Sequence, residues 1–519
     1  MSKGNKNTSS STSFSLLLSA NITKIGLSLL ASAVTTALAY YLHSNYKKKR
    51  QKEKLGLTAT LSSDPPPSSP PAYEALIGNT PLVKLERISE LIGRSIWVKM
   101  ESMNPGATGK DRAALGMIRQ AEQEGLLPPP PSTTASTFLD NTIDSLKLQE
   151  TTTMTKTTSN NSMNNNTHEE EEEEITDPMT RIIREASRRS RSGGIVVEGT
   201  SGSTGIALAA LSAARGHACI VVLPDDQASE KRTILEALGA VVYVVPTASI
   251  SNPNHYVNIA RRLAEQARDQ PVPVAAVFMN QFENTANFSE HYHVTGPELW
   301  HQFHGKMRND NAPCSWPWLW QRRRRSRKLD AFVMSAGTGG TISGIGKYFK
   351  EQAAAAADCR IVLVDPPGSA LYHKIQHGVA FAPQQREQVL QRHRYDTIAE
   401  GIGLDRITHN LSLGLDYVDD AVQVTDQEAL DMAHFLLQTE GLWVGSSSAM
   451  NIVGAIYTAW KLDPGSNVVT IVCDSGSRHV TRMWNPKFVQ DWGLEWPGFL
   501  QSGDSTSGGA RIPKCFLRI

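Results

Sequence analysis

From Gly194 onward the chain alternates between short apolar runs and longer segments with apolar residues every three or four positions. Ile195-Val196-Val197, Ala218–Leu223, Val241–Val245, Ala331–Met334, Arg360–Val364 and Val468–Val472 are runs of the first kind. Such runs read as strands buried on both faces of a parallel sheet. Thr204–Arg215, Ser229–Leu238, Val257–Gln270 and Thr341–Lys350 carry helical spacing between them. Upstream, Glu74–Leu82 reads as a short helix and turn, Ile96–Lys99 as a strand and Asp111–Glu124 as a helix; helical spacing resumes at Met179–Arg189. Strands alternating with amphipathic helices predict an α/β fold, with ligands beyond the carboxyl ends of the strands.

The pattern fails in several places, and these set the expected domain organisation. Residues 1–24 are rich in Ser, Thr and Asn and read as a disordered N-terminus. Ile25–Leu42 runs without a charge, ends on Tyr40 and Tyr41, and is followed by Lys47-Lys48-Lys49-Arg50. A helix of that length rises roughly 27 Å, close to a hydrocarbon core. It reads as a transmembrane helix with the basic end, and all that follows, on the cytosolic side. The mitochondrial outer membrane is expected ahead of the ER. A cleaved signal peptide ending near Ala31-Ser32-Ala33 is the rival, although apolar residues continue past that point. Residues 43–72 form a basic and Pro-rich linker, 73–500 a catalytic domain and 501–519 a C-terminal tail. Residues 128–178, with proline, Thr/Ser/Asn tracts and the run Glu169–Glu174, read as a disordered insertion. Residues 308–328, with Arg322–Arg325 and three tryptophans, read as a second, basic insertion.

Composition narrows the function classes. The 52 Lys+Arg and 51 Asp+Glu leave a net charge of +1, so no global field points to nucleic acid. The five cysteines, Cys219, Cys314, Cys359, Cys473 and Cys515, are widely spaced and form no C-x-x-C pair. Neither a zinc site nor a disulfide framework is indicated, and a reducing compartment is favoured.

The chemistry-bearing stretch is Asn104-Pro105-Gly106-Ala107-Thr108-Gly109-Lys110-Asp111-Arg112. A Pro-Gly turn delivers Lys110 to a helix N-terminus, whose field lowers an amine pKa. A partly deprotonated amine is what covalent lysine chemistry requires. Two further loops leave strands and open helices: Glu198-Gly199-Thr200-Ser201-Gly202-Ser203-Thr204-Gly205 and Ser335-Ala336-Gly337-Thr338-Gly339-Gly340-Thr341. Glycines let backbone N–H groups close on an anion, and hydroxyls add donors. One loop is expected to take a carboxylate and the other a phosphate. Neither is a P-loop, because no Gly-Lys-Ser/Thr ends it. A dinucleotide reading is disfavoured by Ile342, which stands where a third glycine belongs.

Taken together, these residues resemble the β-family of pyridoxal-phosphate enzymes (fold type II, tryptophan synthase β-like), in its cysteine synthase and cystathionine β-synthase branch. The resemblance spans roughly residues 73–130 and 179–495. It rests on Ile77-Gly78-Asn79-Thr80-Pro81-Leu82, the lysine turn, Thr200–Gly205 and Asn280-Gln281-Phe282-Glu283-Asn284. Thr295–Trp300, Gly337–Thr341, Glu400-Gly401-Ile402-Gly403, Glu440-Gly441, Gly445–Ser448 and Asp474–Arg478 also match. The anchor and the low-complexity insertion look like the fungal membrane-anchored branch. The resemblance implies two α/β lobes with pyridoxal 5'-phosphate between them, and a homodimer. It implies that Lys110 carries the cofactor as a Schiff base and later takes the substrate α-proton. Gly337, Thr338, Gly339, Gly340 and Thr341 match the cofactor-phosphate loop. Thr200, Ser201, Thr204 and Gln281 match the substrate-carboxylate site. Ser447 matches the serine on the pyridine nitrogen, where a neutral hydroxyl gives a mild electron sink suited to β-elimination.

Three departures stand out. Ser203 replaces the Asn that bonds the cofactor's ring oxygen, the usual Gly-Gly-Ser-Val-Lys is Gly106-Ala107-Thr108-Gly109-Lys110, and the usual Ser-Ser-Gly is Ser447-Ser448-Ala449. The resulting expectation is cysteine synthesis from O-acetyl-L-serine and sulfide. Cystathionine β-synthase-type chemistry, a cysteine desulfhydrase, a serine dehydratase and a non-catalytic membrane-anchored scaffold stand as alternatives. No metal is expected.

Overall fold

The computed structural model describes residues 72–130, 177–248, 250–270, 274–309, 328–353, 358–381, 397–498 and 513–517. The expected anchor at 25–42, the linker up to residue 71, and the insertion segments 131–176 and 310–327 lie outside the described residues. Among the described residues, no helix is long and apolar enough to cross a membrane.

Two parallel sheets form two lobes. The strands, in chain order, are β1 Leu82–Lys84, β2 Ser95–Met100, β3 Gly194–Gly199, β4 Ala218–Pro224, β5 Val241–Val245, β6 Ala275–Phe278, β7 Ala331–Ser335, β8 Arg360–Asp365, β9 Asp420–Gln423 and β10 Asn467–Val472. The smaller lobe has the order β5-β4-β3-β6, and the larger β1-β2-β10-β7-β8-β9. All neighbours are parallel except β1, which runs antiparallel to β2 at the edge. Among the described residues, the helices of two turns or more are α1 Lys110–Gln123, α2 Pro178–Arg189, α3 Ser203–Arg215, α4 Ser229–Ala237, α5 Tyr256–Arg268, α6 Gly296–Asn309, α7 Gly340–Glu351, α8 Asp426–Thr439 and α9 Ser446–Trp460.

Side-chain alternation explains why both sheets need two covers. In the smaller lobe Val196 and Val221 face α1 and α3, while Ile195, Val197, Ile220 and Val222 face α2 and α5. In the larger lobe Val333, Val364 and Val468 pack under α8 and α9. Phe332, Leu363 and Val469 pack on the other face, against α6 and α7. Each buried Val, Leu, Ile or Phe contributes roughly 1.5–3 kcal/mol relative to exposure, so neither face can be left bare.

The structure differs from the sequence reading at the short strands and at three long helices, α6, α8 and α9, which were not anticipated. Leu82, expected to end the turn, opens the edge strand β1, which was not anticipated, and neither were β6 and β9. Part of the expected tail is packed. Cys515 is buried, its carbonyl accepts a 2.8 Å bond from Trp460 Nε1, and Phe516 lies against Phe435. The described cysteines, Cys219, Cys359, Cys473 and Cys515, are free.

Candidate active site

Lys110 is the first residue of α1, where the chain passes from the larger lobe into the smaller one. Its seat is built by the residues around it. Gly109 N donates to Cys473 O at 3.3 Å, and Thr108 bridges to Asp474, which pins the turn to the end of β10. Asp111 Oδ2 accepts from Gly106 N at 2.7 Å. The buried Arg112 guanidinium grips Glu101 through Nε and Nη2 (2.7 and 2.9 Å) and Glu298 through Nη1 and Nη2 (2.9 and 3.0 Å). The Gly78-Asn79-Thr80 motif serves the same seat. Gly78 N donates to Asn104 Oδ1 at 2.9 Å, and Thr80 Oγ1 donates to Glu101 Oε1 at 2.7 Å.

Burial lowers the Lys110 pKa; Cys473 and Asp474 oppose that shift without reversing it. The direction is the one expected from sequence, but desolvation leads, rather than the helix N-terminus. Burial also pushes Asp111 up to about 7.

The loop after β7 is held by uncharged groups. Asn287 Nδ2 donates to Thr338 Oγ1 at 2.8 Å, and Thr408 Oγ1 donates to Thr338 O at 2.7 Å. A Cβ on Gly337 would lie 2.2 Å from Gly401 O, and one on Gly340 would lie 2.4 Å from Asn287 Oδ1. Neither position has room for a side chain. Thr341 Oγ1 lies 3.1 Å from His291 Nε2, and His291 Nδ1 lies 3.0 Å from Thr295 Oγ1. His291 opens a π-helical turn, His291–Thr295. Burial, then Lys110 and Arg112, push its pKa down to about 3, so the imidazole is neutral.

The loop after β3 in the smaller lobe is built differently. Thr204 Oγ1 donates to Gln281 Oε1 at 2.6 Å. Gln281 N donates to Glu198 Oε2 at 3.2 Å, and Gln281 Nε2 makes only a 3.4 Å bond to Gly199 O. Burial pushes Glu198 up to about 8, so it carries a proton at neutral pH.

Between the lobes lies a cavity of about 750 Å³. Lys110, Ser201, Ser203, Thr204, Gln281, Gly337, Thr338 and Ser447 line it together. Thr341 and Lys110 also line a smaller hollow of about 30 Å³ with His291. Thr200, Gly339 and Gly340 do not line the cavity; Thr200 is buried, its Oγ1 accepting from Gly202 N at 3.2 Å. Sequence reasoning did not single out Cys473, His291 or Asn287. The Cys473 thiol lines the cavity within reach of the Ser447 hydroxyl, and burial pushes its pKa up to about 11. Its place at the end of the apolar run of β10, where ligands gather, was the available signal. His291 and Asn287 had none, since each acts through a contact roughly fifty residues away in sequence.

The profile of the family described as "Pyridoxal-phosphate dependent enzyme" matches residues 73–143 and 178–474. The chain is 38% identical over 418 residues to cysteine synthase 2 of Schizosaccharomyces pombe, covering 80% of this chain and 84% of that protein. It is 39% identical over 424 residues to cysteine synthase 2 of Neurospora crassa, covering 81% and 74% respectively. The crystal structure of an O-ureido-L-serine synthase superposes with a TM-score of 0.54 at 24% identity, covering 83% of this chain and 96% of that one. That likeness supports the fold alone. A profile matched along both lobes, and relatives aligned across four-fifths of the chain, agree with the architecture: the protein belongs to the cysteine synthase family of pyridoxal-phosphate dependent enzymes, of fold type II.

Proposed function

We propose that this enzyme is a cysteine synthase that replaces the acetate of O-acetyl-L-serine with sulfide to give L-cysteine. The observation that carries the reading is that Lys110 and one anion-accepting loop from each lobe share a single cavity. Pyridoxal phosphate fits the residues present. The cradle at Gly337 and Gly340 draws the backbone tightly into the first turn of α7, whose N–H groups have no intrahelical acceptor and favour a phosphate. Gly337, Thr338, Gly339, Gly340 and Thr341 would hold that phosphate. Lys110 would hold the carbonyl carbon, Ser447 the pyridine nitrogen, and Ser203 would stand beside the ring oxygen.

Bound there, the cofactor supplies an electron sink for the charge left when an amino acid loses its α-proton. The chain's own residues do the rest. Lys110, with its pKa lowered, is neutral more often than an exposed lysine and so accepts the α-proton. Thr200, Ser201, Thr204 and Gln281 hold the carboxylate and so orient the Cα–H bond toward Lys110. Gln281 Nε2, which makes only a 3.4 Å bond to Gly199 O, offers a donor to that carboxylate while Gln281 Oε1 stays on the Thr204 hydroxyl. Ser447 offers a hydroxyl that does not protonate the ring nitrogen, which favours loss of the β-substituent over transamination.

The test is direct. Purified protein loaded with cofactor should show a visible absorbance band, and Lys110→Ala should lose it and cut turnover by about a thousandfold. A band that survives in Lys110→Ala sinks the assignment. A spectral response to serine discharged by homocysteine, with none to O-acetylserine, would replace cysteine synthesis by cystathionine chemistry.

We further propose that residues 25–42 anchor the enzyme, with residues 73–500 facing the cytosol from the mitochondrial outer membrane, and that it acts as a homodimer. The uncharged run and its basic flank support the anchor. Protease added to intact organelles should release the catalytic part; protection would reverse the orientation.

A further inference from the structure

The segment Asp226–Lys231 follows β4 in the smaller lobe, yet its polar groups end on the larger one. Lys231 Nζ lies 2.9 Å from Glu400 Oε2, with both side chains buried. Ala228 N donates to Glu400 Oε1 at 3.3 Å. Glu230 accepts from Thr481 N at 2.6 Å and from Thr481 Oγ1 at 2.7 Å, and Arg482 donates to Asp226 O.

Each end of the Lys231 side chain touches one of the two anion loops or its support. Gly202 has φ 122°, a conformation only glycine adopts readily, and a Cβ there would lie 2.5 Å from Lys231 Cδ. The Thr200–Thr204 loop therefore rests on the lysine's methylene stem. At the other end, Glu400 begins the turn whose Gly401 carbonyl fills the space beside Gly337, and whose Gly403 N donates to Ala336 O at 3.3 Å. Contact thus runs from one loop to the other through Gly202, Lys231, Glu400 and Gly401.

We propose that Lys231 is a positioning residue: its stem seats the carboxylate loop and its ammonium, on Glu400, fixes that loop's distance from the phosphate loop. An amino acid bound at both cradles spans that distance, so a loosened brace weakens substrate binding before it weakens cofactor binding. Glu400 keeps His479 Nδ1 at 2.7 Å and Arg482 Nε at 3.4 Å when the ammonium is removed, so the larger lobe stays charge-balanced. The inference rests on the reading of Thr200–Thr204 as the carboxylate site.

The test uses the full chain loaded with cofactor. Lys231→Met should raise the KM for O-acetylserine by about tenfold or more. It should change kcat less, and leave the cofactor's dissociation constant, read from visible absorbance, unchanged. Lys231→Arg, which restores the charge, should recover most of the KM. An unchanged KM overturns the proposal, as does a loss of cofactor affinity equal to the loss of substrate affinity. Thr204→Val touches the loop directly and separates the two failures. If it leaves KM unchanged, the carboxylate reading is wrong. If it raises KM while Lys231→Met does not, only the brace is wrong. Should Lys231→Met not fold, Lys231→Gln carries the same test: a smaller rise in KM supports the brace, and none overturns it.

Discussion

The two anion loops share one geometry, strand end to helix start, but they are secured by different physics. The proposed phosphate loop is fixed by neutral contacts: the Asn287 amide, the Thr408 hydroxyl, a neutral His291 and close backbone packing at Gly401. The proposed carboxylate loop is seated on ions, with Lys231 against Glu400, and His479 and Arg482 behind. Neutral packing is insensitive to pH and salt and suits a group held for the life of the enzyme. Buried charge pairs are strong only while both partners stay charged and aligned, which suits a contact that must answer to a transient ligand.

The sharpest way to break this contrast is at its rigid side. Gly337→Ala places a methyl on the Gly401 carbonyl, and overpacking of this kind costs about 3 kcal/mol, or about a hundredfold in cofactor affinity. Equilibrium titration followed by visible absorbance measures it; retained affinity would show that the loop is softer than its packing.

The ionic side is tested by pH. Burial opposes charge on His479, yet Asp474 and Glu400 hold its pKa up at about 9. Burial alone would raise the Glu400 pKa, but Lys231, His479 and Arg482 hold it well below the usual carboxylate range. The His479 contribution is complete below its unfolded value near 6.5 and is lost as pH rises through about 9. Between pH 7 and 10 the KM for the amino-acid substrate should climb by about tenfold while cofactor affinity holds. His479→Gln should flatten that climb. Parallel loss of both affinities would erase the distinction between the loops.

The smallest effect concerns the lysine turn. Ala107 sits at φ 54°, a left-handed conformation that favours glycine. Ala107→Gly should stabilise the fold by about 1 kcal/mol, read as a raised Tm, with Lys110 chemistry intact.

Much of this was legible in the chain. The long apolar strands and six of the nine long helices fell within a residue or two of their places, because periodicity reports burial directly; α6, α8 and α9 were missed. The three-residue β1 and the four-residue β6 and β9 did not, because they are too short for a period and are fixed by pairing with a neighbour. Lys110 and the two loops, which the structure brings to one cavity, could be singled out because each stands where a strand or turn opens a helix. What joins them could not. Lys231 and Glu400 are 169 residues apart, and nothing local in either marks the other. The cause of the Lys110 shift was likewise hidden, since burial of its side chain arises only from tertiary packing.

The place of β10 carries a consequence for biogenesis. Among the described residues β10 is the last strand, but it lies inside the larger sheet, between β2 and β7. The smaller sheet, by contrast, is drawn from one continuous stretch, residues 194–278. During synthesis the smaller lobe has all its strands long before the larger lobe has its middle one. Until residue 474 has left the ribosome, the Lys110 turn lacks the edge it is pinned to. A chain stalled upstream of β10 should therefore be able to pair the small-lobe strands while failing to hold the cofactor at Lys110.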